Sequence, residues 1–206
     1  MNFKNYICHP GLFFESLSQK EKQPTWVSML IIMGIALLSS LSVYFTMSNA
    51  SAGIDTSDTG SVATFISVFS MVTILVNAVL GWIIQSLIYW LLLKKIGKKD
   101  KTFKYQNILY ATGIASIPLA IPAILNLIST FIIPASTANA GFNWVTLLAT
   151  NCNIFAIWSY ILTIFALSRF SSVKTNKVTI IVICMLLLIV VPTVVSGLFT
   201  SAIPAV

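Results

Sequence analysis

Charge is scarce in this chain. Asp, Glu, Lys and Arg together make up 8% of its 206 residues, where soluble domains carry about 25%. That shortfall excludes a soluble fold. Histidine is nearly absent: His9 stands alone. With Cys8 beside it, two ligands are at hand, and a structural zinc takes four. The two remaining cysteines, Cys152 and Cys184, fall in apolar stretches, so no disulfide framework is indicated. Ionised side chains are missing from the interior of every long apolar run, which removes the buried carboxylates of proton relays and intramembrane aspartyl proteases. Serine is plentiful, yet without a histidine or buried lysine to act as base no activated nucleophile is visible. The expectation is a protein that is not an enzyme and has no metal and no cofactor.

Hydrophobic residues are abundant, at 57% of the chain. Five stretches are apolar enough and long enough to cross a bilayer, which takes about 20 helical residues. They lie at 26–47, 62–93, 105–133, 142–168 and 177–200. Each must be a helix, because hydrocarbon offers backbone N–H and C=O groups no partner outside the segment or a closed barrel. Barrel strands would alternate apolar and polar residues; the run from Ile180 to Val191 does not. The sequence predicts an all-α polytopic membrane protein: a segment over 1–25 with a short interfacial helix, then one five-helix transmembrane domain over 26–206.

Orientation follows from the basic residues. Lys4, Lys20 and Lys22 precede the first span. Lys94, Lys95, Lys98, Lys99, Lys101 and Lys104 follow the second, and Arg169, Lys174 and Lys177 follow the fourth. The other two loops carry none. Basic residues stay on the cytoplasmic side, so the N-terminus is expected inside and the C-terminus outside. Ala50-Ser51-Ala52 has the form of a signal-peptidase site, but the apolar run before it is about twice the usual 7–15 residues of a signal core. Asn49-Ala50-Ser51 is a glycosylation sequon on the outer side. Eleven lysines to one arginine, with many Ile and Asn, suit an AT-rich genome and point to a bacterial cell membrane.

Ahead of the first span, Pro10 opens a stretch in which Leu12, Phe13, Phe14 and Leu17 share one helical face, opposite Glu15, Ser18 and Gln19. The sequence predicts an interfacial helix on the inner leaflet, with Pro10, Phe13 and Phe14 as its anchor. The lysine cluster Lys94, Lys95, Lys98, Lys99, Lys101 and Lys104 is expected to contact anionic lipid headgroups, at about 1 kcal/mol each. No fold or aromatic platform for nucleic acid accompanies it.

Polar and small residues form stripes at steps of three and four. In the second span they are Ser67, Ser70, Thr73, Asn77, Gly81, Gln85 and Tyr89. In the third they are Asn107, Ala111, Ala115, Pro118, Pro122, Asn126 and Ser129. The fourth has Asn153, Ala156, Ser159 and Thr163. Each set holds one helical face. Small residues let membrane helices approach and amides bond across the gap, so spans two, three and four are expected to pack there, with the aliphatic fifth facing lipid. The alternative is a cavity, with the third span broken at Pro118 and Pro122 as in transporter helices. Asn77, Gly81, Gln85, Tyr110, Pro118, Pro122, Asn126 and Asn153 are the candidate packing or cavity-lining residues.

Several motifs together resemble those of the Yip superfamily, five-span membrane proteins named for interacting with Ypt/Rab GTPases. They are Pro10-Gly11-Leu12-Phe13-Phe14 before the first span, a long second span ending in a basic loop, Tyr110 to Pro118 in the third, and Trp158 with Leu162 in the fourth. The long N-terminal region and the aspartate-containing motif of eukaryotic members are not matched, so the resemblance does not extend to GTPase binding. It implies a five-helix architecture that associates with membrane lipids and with a membrane-protein partner or a further copy of itself. A small permease or lipid-handling protein using the broken third span is the competing expectation.

Overall fold

The computed structural model describes residues 3–19, 23–51, 59–97, 103–132 and 153–202. They form α1 (Phe3–Cys8), α2 (Pro10–Ser18), α3 (Thr25–Ser51), α4 (Thr59–Ile96), α5 (Tyr105–Ala115), a 3₁₀ turn (Ile117–Leu119), α6 (Ala120–Ile132), α7 (Ile154–Ser171) and α8 (Thr175–Ala202). The protein is an all-α polytopic membrane protein. The helical segments Thr25–Thr46, Phe65–Ile96, Tyr105–Ile132 and Ile154–Ser171 are long and apolar enough to cross a membrane, and a further apolar helix covers Thr175–Leu188. Residues 142–152, expected in the fourth span, lie outside the described residues, and α7 is described from Ile154. The 38 residues of α4 span ~57 Å at 1.5 Å per residue. A bilayer core is about 30 Å thick, so α4 either tilts steeply or extends past the hydrocarbon.

Proline breaks the third span as the sequence predicts. Pro118 has no N–H, so the carbonyl of Ile114 loses its helical partner. Leu119 N–H turns back to Ser116 O instead, at 2.9 Å, leaving the Ala115 carbonyl free of the α-helical ladder. Both orphans are taken up by distant hydroxyls. Tyr6 donates to Ile114 O at 3.0 Å and Ser159 donates to Ala115 O at 3.0 Å. The break is therefore pinned from two sides, by α1 and by α7. Burial pushes the Tyr6 phenol above its ordinary range, which keeps it a donor.

Around the break the packing changes. On one side α5 lies against α3, α4 and α7; on the other, α6 packs chiefly along α3. The α3–α5 crossing is close because Gly113 has no side chain: a Cβ there would come within 2.3 Å of Ser28 Cβ. Ser28, fully buried, donates to Tyr110 O at 2.9 Å.

The N-terminal helices do not anchor in lipid by the face the sequence offers. Phe13, Phe14 and Leu17 are buried in the protein core, and Tyr6 meets Phe13 edge-on at 5.1 Å. The packing partner is α7. Arg169 reaches across to Glu15 at 3.2 Å. Leu12, by contrast, remains 59% exposed. An amphipathic helix looks the same in sequence whether its apolar face meets lipid or protein, and here protein wins.

A second correction concerns the last helix. Val178, Ile181, Val182 and Met185 are buried on one face of α8, while Ile180, Ile183, Leu187 and Leu188 point outward. The tight α7–α8 turn imposes this: Ser172 adopts φ 56°, and Ser168 donates to Val173 O at 2.8 Å. The helix that shows most of itself is α4. In its most apolar stretch 11% of the residues are buried, against 50% in the third span.

Candidate functional site, a cavity between the spans

A cavity of about 410 Å³ opens where the packing changes. Ile32, Ile35, Ala36 and Ser39 of α3 form one wall and Ile74, Asn77, Gly81, Trp82 and Gln85 of α4 another. Thr112, Ser116 and Leu119 come from the break, and Ser159, Tyr160 and Thr163 from α7. Its cause is the proline break: once α6 follows α3, nothing on the third span fills the gap between α4 and α7. Asn77 stands at the midpoint of α4, 18 residues after Thr59 and 19 before Ile96. The cavity therefore lies at mid-height of α4 and opens at the surface of the bundle, where Asn77 and Gly81 are exposed.

Its polar groups are of two kinds. The first are fixed. Thr112 Oγ1 lies within 3.0 Å of Ile108 O and receives the indole N–H of Trp82 at 3.1 Å; the Ser86 hydroxyl is 2.8 Å away. Ser116 donates to Gly113 O at 2.7 Å, and Thr163 to Ser159 O at 2.8 Å. Ser116 and Thr163 give their protons to the backbone and keep lone pairs for accepting, whereas Thr112 is saturated by Trp82, Ser86 and the backbone. The second kind are the amides. Gln85 Nε2 donates to Tyr89 Oη at 3.3 Å. Asn77 is exposed to the cavity, and among the described residues nothing hydrogen-bonds to it. Among the described residues, no Asp, Glu, Lys, Arg or His lines the space.

The structure brings Asn77, Gly81 and Gln85 together on one wall of this space rather than in a closed seam. A Cβ at Gly81 would meet nothing within 4 Å. Pro118 is buried at the break and Tyr110 behind it, its ring 6.2 Å from that of Phe170. Pro122, half-buried in α6, and Asn126, exposed on it, do not line the cavity. Asn153 is not a stripe residue but the N-cap of α7: its Oδ1 accepts from Ala156 N at 2.8 Å. Pro10 occupies the first turn of α2. Lys94, Lys95 and Lys104 are exposed, with Lys94 Nζ 4.8 Å from the Trp90 ring. Lys98, Lys99 and Lys101 lie outside the described residues.

Sequence reasoning missed Tyr6, Ser28 and the Trp82–Ser86–Thr112 cluster. Trp82 and Ser86 are four residues apart, each one position along from Gly81 and Gln85 of the polar stripe, and that register is the sequence signal that flags them. For Tyr6 the signal is a need rather than a motif: Pro118 orphans a carbonyl, and some donor must answer.

An all-helical membrane bundle with a broken third span and an uncharged interior cavity defines the class. The family model for the Yip1 domain matches residues 4–197, nearly the whole chain. This chain belongs to the Yip1 family. No curated protein and no solved structure matches it.

Proposed function

We propose that this protein is a non-enzymatic, lipid-handling membrane protein of the Yip type that takes an amphiphile from the bilayer into the cavity between α3, α4 and α7. We place it in a bacterial cell membrane with its N-terminus inside. The exposed lysines after α4 would meet anionic headgroups on that face, at about 1 kcal/mol each. The observation that carries the reading is a largely apolar space holding a few polar groups at mid-helix height in an apolar bundle. Tightly packed faces would have argued for helix association alone; the Asn77–Gly81–Gln85 wall is instead open. A volume of about 410 Å³ falls in the range of ligand sites, roughly 300–1,000 Å³.

The test uses the full chain, extracted into lipid nanodiscs and analysed by native mass spectrometry. Wild type should retain about one lipid-sized adduct per chain after bulk lipid is stripped, and Gly81→Leu should lose it. Gly81 is the position to fill, since no described residue comes within 4 Å of a Cβ there. Equal adducts in both chains, or none in either, would overturn the proposal.

A further inference from the structure

We infer that the cavity selects an uncharged amphiphile bearing hydroxyl or carbonyl groups, of the diacylglycerol kind, whose polar end pairs with Asn77 and Gln85 across the gap left by Gly81. The inference rests on the lipid-handling reading and adds the chemistry of the ligand.

Three observations support it. The first is the solitary amide. A polar group facing an apolar medium calls for a partner, and the Asn77 side chain, exposed on the cavity wall at the midpoint of α4, has none among the described residues. A carboxamide both donates and accepts, so its natural complement is a group that does the same or a carbonyl and hydroxyl together. Water would satisfy the amide but not the Ile32, Ile35, Ile74 and Leu119 walls beside it. An amphiphile satisfies both.

The second is the glycine. Mid-helix glycine costs about 1 kcal/mol relative to alanine, and nothing within 4 Å of a Cβ at Gly81 requires its absence. Asn77, Gly81 and Gln85 lie four residues apart, on one face. Removing the middle side chain joins two amide positions into one continuous polar strip, which a two-oxygen headgroup can span.

The third is the missing charge. A phosphate placed here would find no Lys, Arg or His among the described residues of any wall. An uncompensated charge at mid-membrane depth costs about 2.5–3.5 kcal/mol or more. The hydroxyls of Ser116 and Ser159 donate to backbone carbonyls, so they offer lone pairs, which repel an anion and suit a hydroxyl donor.

The experiment compares two photoactivatable lipids, a diacylglycerol and a phosphatidic acid with the same chains, in phosphatidylcholine vesicles holding the full chain. The diacylglycerol should label peptides from α3, α4 and α7, be competed by unlabelled diacylglycerol, and label at least ten-fold less in Asn77→Leu. A matched thermal unfolding midpoint shows that this variant still folds; Gln85→Leu, which leaves Asn77 in place, gives a second and smaller loss. Equal labelling of the same peptides by phosphatidic acid overturns the selectivity while leaving lipid handling intact. Labelling by neither overturns both. Undiminished diacylglycerol labelling in a folded Asn77→Leu removes Asn77 from recognition. Absence of lipid label together with disulfide-linked dimers of Asn77→Cys assigns the amide to a contact between copies and likewise overturns the inference.

Discussion

At Gly113 a methyl group would fall 2.3 Å from the Cβ of Ser28; at Gly81 it would meet nothing within 4 Å. Both glycines sit within membrane helices, and both lie on faces rich in small residues. Around Gly113 the helices touch. Ser28, Ala111, Ile114 and Ala115 are at most 1% exposed, and the two carbonyls freed at Pro118, those of Ile114 and Ala115, both find hydroxyl donors. Around Gly81 the described helices stand apart, and the Asn77 amide has no partner among the described residues. The difference teaches that a small residue has two uses in a membrane bundle, to bring backbones together or to keep a space empty, and that only the neighbour decides which.

The comparison is broken most forcefully at Gly113. Gly113→Ala places its Cβ against both the side chain and the backbone of Ser28, 3.0 Å from its Cα, so relief requires α3 to shift. Overpacking of this kind costs typically 1–3 kcal/mol, and this site should fall at the top of that range. The thermal unfolding midpoint in detergent should drop sharply, and Ser28→Gly in the same chain should recover part of it. An unchanged midpoint would mean that α3 and α5 are not in contact there.

Next in size is the donor from α1. Tyr6→Phe keeps the edge-on ring contact with Phe13 and removes the proton given to Ile114 O. A buried acceptor left unpaired costs about 1–3 kcal/mol. The midpoint should fall, and protease cleavage near residue 9 should quicken as the α1–α2 pair loosens from the bundle. Cleavage at the wild-type rate would show that this hydrogen bond does not hold the pair.

Gly81 should respond with the opposite sign. Gly81→Ala gains helix propensity, roughly 0.5–1 kcal/mol, and meets no steric resistance. A raised midpoint accompanied by weaker lipid retention is the expected pair of results. A lowered midpoint would place Gly81 with Gly113, as a contact glycine.

How far the sequence reaches follows the same line. Apolar length predicts the crossing helices and Pro118 predicts the break, because both depend only on local chemistry and on the surrounding hydrocarbon. The Asn77–Gly81–Gln85 stripe was legible as one face, but not whether that face closes on a neighbour. Phe13 and Phe14 read as lipid anchors because periodicity reports a buried side and is silent about what buries it. Asn153 shares the step of its stripe, yet serves as a cap because α7 begins at the next residue. Tyr6 is more than one hundred residues from the carbonyl it satisfies, and no local pattern links them.

The smallest effect belongs to the ion pair on the packed side. Glu15 and Arg169 join α2 to α7 at 3.2 Å, but their side chains are 43% and 45% exposed. Exposed pairs contribute about 0–1 kcal/mol, because water screens the attraction and two long side chains must be ordered to make it. The apolar contact beneath them, with Phe14 fully buried and Phe13 and Leu17 nearly so, removes far more surface from solvent. If burial holds α2 in place, Glu15→Gln should move the midpoint by less than about 1 kcal/mol, an effect that shrinks further in high salt, while Phe14→Ala should cost about 3–5 kcal/mol. Measured side by side, a Glu15→Gln loss equal to that of Phe14→Ala would show that charge rather than packing fastens the N-terminal helices to the bundle.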